Sequence, residues 1–351
     1  MPMTEQDLKQ HLSGGALSPL YFFYGEEPYL IAHYATRLVD KAVPPDDMAA
    51  FNLHVFDGTS LSLDELEAAV EALPLMGDNT CVWVKDYDAG AANAAVTERM
   101  TAILKTVAEP CVLVFSVTAF EPDMKKNAKW KAFLKEVDKR GVSVAFVRRT
   151  TSETAALLVR GAKKRGCALD TPTANLMIEQ CGNELFLLLN ELDKLCAVVG
   201  NGGTITPDTV KTAAVKQLDA SVYELSKALL QKRYDAAYDC IMRLFACGEE
   251  PIRILAVLSE SYADLYRAKI AAIGGVQASA LSQDFVSYRG REFRLRNAAR
   301  DCRSLSVPAL RECLQILGVA DTRMKSNASS LHRLILEETV ARLILVAKES
   351  R

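Results

Sequence analysis

The sequence predicts an α/β domain followed by all-α segments, and three observations carry that reading. Over residues 1–148, short apolar runs alternate with helix-spaced apolar patterns, as in a mostly parallel sheet flanked by helices. Strand-like runs then stop. From residue 217 onward, apolar residues recur every three or four positions through successive long segments, the spacing of packed helices. The expected domains are 1–148 (α/β), 149–216 (small and helical) and 217–351 (a helical bundle).

Five runs read as strands: 20–24, 53–56, 80–85, 111–117 and 142–147. Between the second and third, Ser62 with Glu65 three residues later forms a capping-box pattern, and Leu63, Leu66, Ala69, Val70 and Leu73 follow on one helical face. In the second segment, Thr171-Pro172 and Thr206-Pro207 each put a capping residue before a proline suited to the first helical position. Asn201-Gly202-Gly203 reads as a turn between those helices. A second capping box, Ser221 to Glu224, opens the third segment, with helices expected over 221–231, 234–247, 251–273, 291–303, 307–324 and 329–348. Gly274-Gly275 marks a break, and no internal repeat is evident.

Half of the 351 residues are hydrophobic and 25% are charged, the balance of a globular chain with an ample core. No apolar run reaches 18 residues, and the polar, acidic start is unlike a secretory signal, so no membrane contact is expected. The nine cysteines are scattered, without Cys-x-x-Cys spacing, and the four histidines have no metal-ligand spacing. These features imply small core cysteines in a reducing cytoplasm, with neither metal nor cofactor. Charge is uneven: residues 1–216 hold 22 Lys+Arg against 28 Asp+Glu, and residues 217–351 hold 20 against 16. Any polyanion contact is therefore expected in the C-terminal part.

The strand-turn-helix around Gly25 has the layout of a phosphate-binding loop, Gly-x-x-x-x-Gly-Lys-[Ser/Thr]. Counted from Gly25, the second glycine falls on Leu30, the lysine on Ile31 and the hydroxyl residue on Ala32. The groups that would hold phosphate and Mg²⁺ are replaced by apolar ones, making this a degenerate loop that should not bind ATP. An α/β domain followed by a small helical one is the layout of an AAA+ ATPase, which also needs an acid at the end of a second strand. The run 111–117 offers Ser116 there, and Asp86 after the run 80–85 reads better as a turn residue. No nucleophile elbow or zinc-protease motif occurs, so no intrinsic catalytic residues are expected.

Further strings bring a family into view. Leu20-Tyr21-Phe22-Phe23-Tyr24-Gly25-Glu26-Glu27, Phe51-Asn52, Leu73-Pro74-Leu75-Met76-Gly77-Asp78 and Val82-Trp83-Val84-Lys85 resemble, in order and spacing, the N-terminal domain of the delta subunits of bacterial DNA polymerase III clamp loaders. The stretch from Gly182-Asn183-Glu184-Leu185 to Asn190-Glu191-Leu192-Asp193-Lys194-Leu195 resembles the family's second domain. Gly248-Glu249-Glu250-Pro251 through Ala256, and Ala320-Asp321-Thr322-Arg323-Met324-Lys325-Ser326, resemble its C-terminal collar. The resemblance runs essentially from end to end. The Ser-Arg-Cys tripeptide and zinc-binding cysteine cluster of the sibling gamma/tau and delta-prime subunits do not occur.

The resemblance implies an AAA+-like domain that has lost ATP binding, a small lid-like domain and a collar that assembles with gamma/tau and delta-prime. It implies a non-catalytic subunit of a DNA polymerase holoenzyme, which binds and opens the sliding clamp so that it can be loaded on primer-template DNA. The clamp contact falls on Leu73, Pro74, Leu75 and Met76. Read from the residues alone, Leu75 and Met76 sit on a turn beyond helix periodicity, open either to a protruding anchor or to a local plug. The family often has Phe where Met76 stands. Residues 288–303 carry six arginines against Glu292 and Asp301. There the resemblance implies DNA contacts by Tyr288, Arg289, Arg291 and Arg294, where the bland reading is a solvated helix face. The other readings are a non-catalytic AAA+-like adaptor outside replication and an ATPase with a divergent loop.

Overall fold

Residues 20–24 are apolar at every position because both faces of their strand are covered. A computed structural model describes residues 3–14, 16–45, 49–75, 77–285, 288 and 292–349, and the chain divides into two compact units, Met1–Arg148 and Arg149–Arg351.

The first unit contains, in order, α1 (Glu5–Ser13), β1 (Leu20–Gly25), α2 (Pro28–Ala42), α3 (Ala49–Asn52), β2 (Leu53–Asp57), α4 (Leu63–Glu71), β3 (Thr80–Lys85), α5 (Ala94–Thr106), β4 (Cys111–Ser116), α6 (Ala128–Arg140) and β5 (Val142–Phe146). The five strands form one parallel sheet in the order β2-β3-β4-β1-β5. Side-chain alternation splits β1 between two cores. Leu20, Phe22 and Tyr24 join Val82, Val84, Leu113 and Phe115 beneath α4, α5 and α6. There Phe22 stacks on Trp130 at 5.9 Å, and Phe133 meets both Phe22 and Phe115 edge-on at 5.2 Å. On the opposite face, Tyr21 and Phe23 are buried on the side covered by α1 and α2, where Tyr34 stacks on Phe146 at 5.4 Å. Parallel sheets require such cover on both sides.

The second unit contains α7 (Thr151–Lys164), β6 (Ala168–Leu169), α8 (Thr171–Cys181), α9 (Leu185–Val199), β7 (Thr204–Ile205), α10 (Pro207–Ala213), α11 (Leu218–Leu230), α12 (Tyr234–Ala246), α13 (Pro251–Ile273), α14 (Leu281–Asp284), α15 (Glu292–Asp301), α16 (Val307–Ser326) and α17 (His332–Glu349). Among the described residues it holds two hydrophobic clusters. One is built from α7 to α10 around Leu158, Met177, Leu188 and Leu192. The other is built from α11 to α17 around Leu225, Leu258, Tyr262, Leu310 and Leu336.

Several local expectations need correction. β6 and β7 pair in parallel, but at two residues each they leave no periodic signal in the sequence. Asp170, not Thr171, caps α8, accepting from the Thr173 N–H at 2.8 Å. Pro172 consequently stands at the second helical position. α11 begins at Leu218, so Ser221 lies inside a helix and caps nothing. Ser62 does cap α4, accepting from the Glu65 N–H at 3.4 Å. α4 then stops at Glu71, which carries Leu73 off the apolar face on which its spacing places it.

Candidate functional site

At the degenerate loop, β1 lies between β4 and β5, where the strand order reverses and the carboxyl ends of an open parallel sheet ordinarily hold a ligand. Here the turn is tight. Gly25 has φ of +130°, and a side chain there would meet the Phe146 carbonyl oxygen at 2.3 Å. The Glu26 N–H donates to that same oxygen at 2.8 Å, and the Glu26 carboxylate accepts from the Arg148 N–H at 3.1 Å. α2 then starts at Pro28, leaving only Glu26 and Glu27 between strand and helix. A phosphate cradle needs free N–H groups and positive charge at a helix N-terminus. This one offers two carboxylates and a proline. Leu30 and Ile31 point into the core, whereas Ala32 lies on the exposed face of α2. Asp86, at φ +55°, accepts from the Thr118 and Ala119 N–H groups at 2.5 and 2.9 Å, which makes it a brace for the loop after β4.

The loop after α4 faces the other way in its chemistry. Leu73 is 79% exposed and Leu75 54%, with Pro74 half-buried between them. Met76 lies outside the described residues. The backbone beneath these side chains is fixed. The Leu75 N–H donates to Asn52 Oδ1 at 2.7 Å, and Asn52 Nδ2 donates back to the Leu75 carbonyl at 3.1 Å. Thr80 Oγ1 donates to the Ala72 carbonyl at 3.3 Å, holding the end of α4 to the start of β3. Phe51, preceding Asn52, is 57% exposed, and Val55 is exposed on the edge strand β2. Sequence reading gave Phe51 and Asn52 no role. The signal available was an apolar aromatic beside an amide just ahead of a strand, which does not by itself reveal a partner 23 residues away.

In the arginine-rich stretch, Tyr288 and Arg294 turn inward, whereas Arg296, Arg300 and Arg303 are exposed. Tyr288 is buried; its hydroxyl donates to Asp264 Oδ1 at 2.5 Å and accepts from Arg267 at 2.8 Å. The Arg294 side chain is only 16% exposed and brackets Asp264, with Nε at 2.9 Å and the nearer terminal nitrogen at 2.8 Å from Oδ2. Its other terminal nitrogen reaches Glu260 at 3.0 Å. Burial pushes the Asp264 carboxyl above the usual carboxylate range, against the pull of the Arg294 guanidinium. Tyr288 and Arg294 are thus committed to α13 and not free to meet DNA as expected, because a buried carboxylate must be paired. Arg289 and Arg291 lie outside the described residues. Arg300 binds Asp301 and the Tyr223 hydroxyl, at 3.0 and 2.7 Å, while Arg296 and Arg303 are exposed.

Among the described residues, no group of three or more His, Cys, Asp or Glu side chains could hold a metal ion, and no helix is long and apolar enough to cross a membrane. Comparison with known proteins is consistent across both units. The family model described as DNA polymerase III, delta subunit matches residues 21–145, and that for the delta subunit's C-terminal domain matches residues 219–343. The DNA polymerase III subunit delta of Bacillus subtilis is 24% identical over 341 residues, 96% of each chain. A probable DNA polymerase III subunit delta of Aquifex aeolicus is 22% identical over 299 residues, 82% of each. The solved structure of the Bacillus subtilis DNA clamp loader delta protein superimposes with a TM-score of 0.64, covering 97% of this chain and 99% of its own, at 24% identity. With the two delta-specific models together spanning well over half its length, this chain belongs to the family of DNA polymerase III delta subunits.

Proposed function

We propose that this protein is the clamp-binding subunit of a replicative clamp loader, which holds and opens the sliding clamp without hydrolysing ATP itself. The observation that carries the reading is the pair of exposed leucines, Leu73 and Leu75, on a loop whose backbone is fixed from below. Burying a leucine side chain contributes about 1.5–3 kcal/mol, so two or three such anchors, with Met76 among them, could dominate a modest interface. Opening a closed ring further requires that the subunit bind the open clamp better than the closed one.

In this reading residues 1–148 carry the clamp contact, 149–216 form a lid-like domain, and 217–351 form the collar that assembles with gamma/tau and delta-prime. ATP is supplied by those neighbours, since Glu26, Glu27 and Pro28 stand where a phosphate cradle would need donors. Any contact of the arginine-rich stretch with primer-template DNA falls to its outward members, such as Arg296 and Arg303. The test is a double substitution, Leu75→Asp with Met76→Asp. It should abolish pull-down of the purified clamp in the absence of ATP while assembly with the other loader subunits persists. Retention of the clamp by that variant would overturn the reading.

A further inference from the structure

A solvent-exposed loop bearing leucines ordinarily lowers its free energy by folding those side chains onto its own surface, since exposed apolar area is unfavourable. Here something holds Leu75 outward. Asn52 ends the four-residue α3 and is only 3% exposed. Its amide engages both polar groups of one residue, accepting from the Leu75 N–H at 2.7 Å and donating to the Leu75 carbonyl at 3.1 Å. A side-chain amide used in this way stands in for a neighbouring strand: it satisfies the backbone of the loop and leaves the side chain unencumbered. With Asn52 buried, the pair is partly shielded from competition by water. Space beside it is limited too, since a side chain at Gly77 would meet Asn52 Nδ2 at 3.2 Å.

We propose that Asn52 is the positioning residue of the clamp-contacting loop: it pre-organises the backbone at Leu75 so that the apolar anchor is presented before the partner arrives. This rests on the clamp-binding reading above. A pre-ordered anchor spares the complex the entropy of ordering it on binding. Asn52 touches no clamp atom in this scheme and acts through Leu75.

The experiment compares the wild type, Asn52→Ala, Asn52→Asp and Leu75→Ala, with two readouts. One is the dissociation constant for the purified sliding clamp without ATP. The other is hydrogen exchange at the Leu75 amide and at the amides of β1 and β3 in the free protein. Asn52→Ala is expected to weaken clamp binding roughly ten-fold and to speed exchange at Leu75 by a similar factor, with β1 and β3 still protected. Asn52→Asp keeps the acceptor for the Leu75 N–H but loses the donor, so it should keep Leu75 protection nearer to wild type and lose less affinity. Should Asn52→Ala lose protection in β1 and β3 as well, Asn52→Asp serves as the deciding variant. Unchanged clamp affinity in the Asn52 variants, with Leu75→Ala impaired, would overturn the positioning role and leave the clamp reading intact. Unchanged affinity in Leu75→Ala would overturn the clamp reading itself. Slow exchange at Leu75 in Asn52→Ala would overturn the claim that Asn52 orders the loop.

Discussion

The pair Leu73 and Leu75 and the pair Tyr288 and Arg294 both draw attention in the sequence as contact sites, and the fold treats them in opposite ways. Leu73 and Leu75 are apolar and exposed, with the backbone hydrogen bonds of Leu75 already made from within. Tyr288 and Arg294 are polar and turned inward, closing on the buried Asp264. The difference is one of what each side chain can obtain inside its own chain. A guanidinium finds a carboxylate on a neighbouring helix and is satisfied. A leucine held out by its backbone can be satisfied only by a surface that is not its own. A basic run is therefore a weak pointer to a partner, and an exposed apolar residue on an ordered turn is a stronger one.

Paired substitutions sharpen that contrast. The largest effect is expected at Asp264. Asp264→Ala leaves Arg294 and Tyr288 without their shared partner and should cost about 3–5 kcal/mol of folding stability, read by chemical denaturation. Were it instead to lower primer-template affinity with stability unchanged, the stretch would be a contact site and the contrast would fail. Leu75→Ala should do the reverse, costing about 1.5–3 kcal/mol of clamp affinity with folding stability within about 0.5 kcal/mol of wild type. A large loss of stability at Leu75 would make the loop a local plug. The smallest test concerns the thiols. All nine cysteines are free, and only Cys247 is exposed, so brief alkylation under native conditions should label Cys247 alone. Early labelling at the buried Cys302, which directly follows α15, would mean that the Asp264 network opens readily.

The inner strands β1, β3 and β4 are legible because burial on both faces writes nearly continuous apolar runs such as 111–115. The long helices of the second unit are legible because each presents one apolar stripe to a shared cluster. What escapes is decided at a distance. Two-residue strands have no period, and the start of α11 at Leu218 lacks any side-chain cap to mark it. At the loop, the composition of Leu73-Pro74-Leu75 shows that it is apolar, but its outward direction depends on Asn52, which precedes another strand. For Tyr288 and Arg294, spacing along the helix shows an arginine cluster and hides Asp264, which sits on α13 some thirty positions earlier.

The tight turn at Gly25 also limits what substitution could achieve there. Restoring Lys and Ser at positions 31 and 32 would not rebuild a nucleotide site, because α2 is already under way at Pro28 and Ile31 is fully buried. An ammonium at Ile31 would be carried into the core, where an unpaired charge is strongly disfavoured. Recovery would need added residues in the loop, removal of a proline, and repacking beneath the sheet, all before any of them brought an advantage. No single substitution at Ile31 or Ala32 therefore supplies a phosphate site, because the core beneath the sheet already takes up the place a lysine would need.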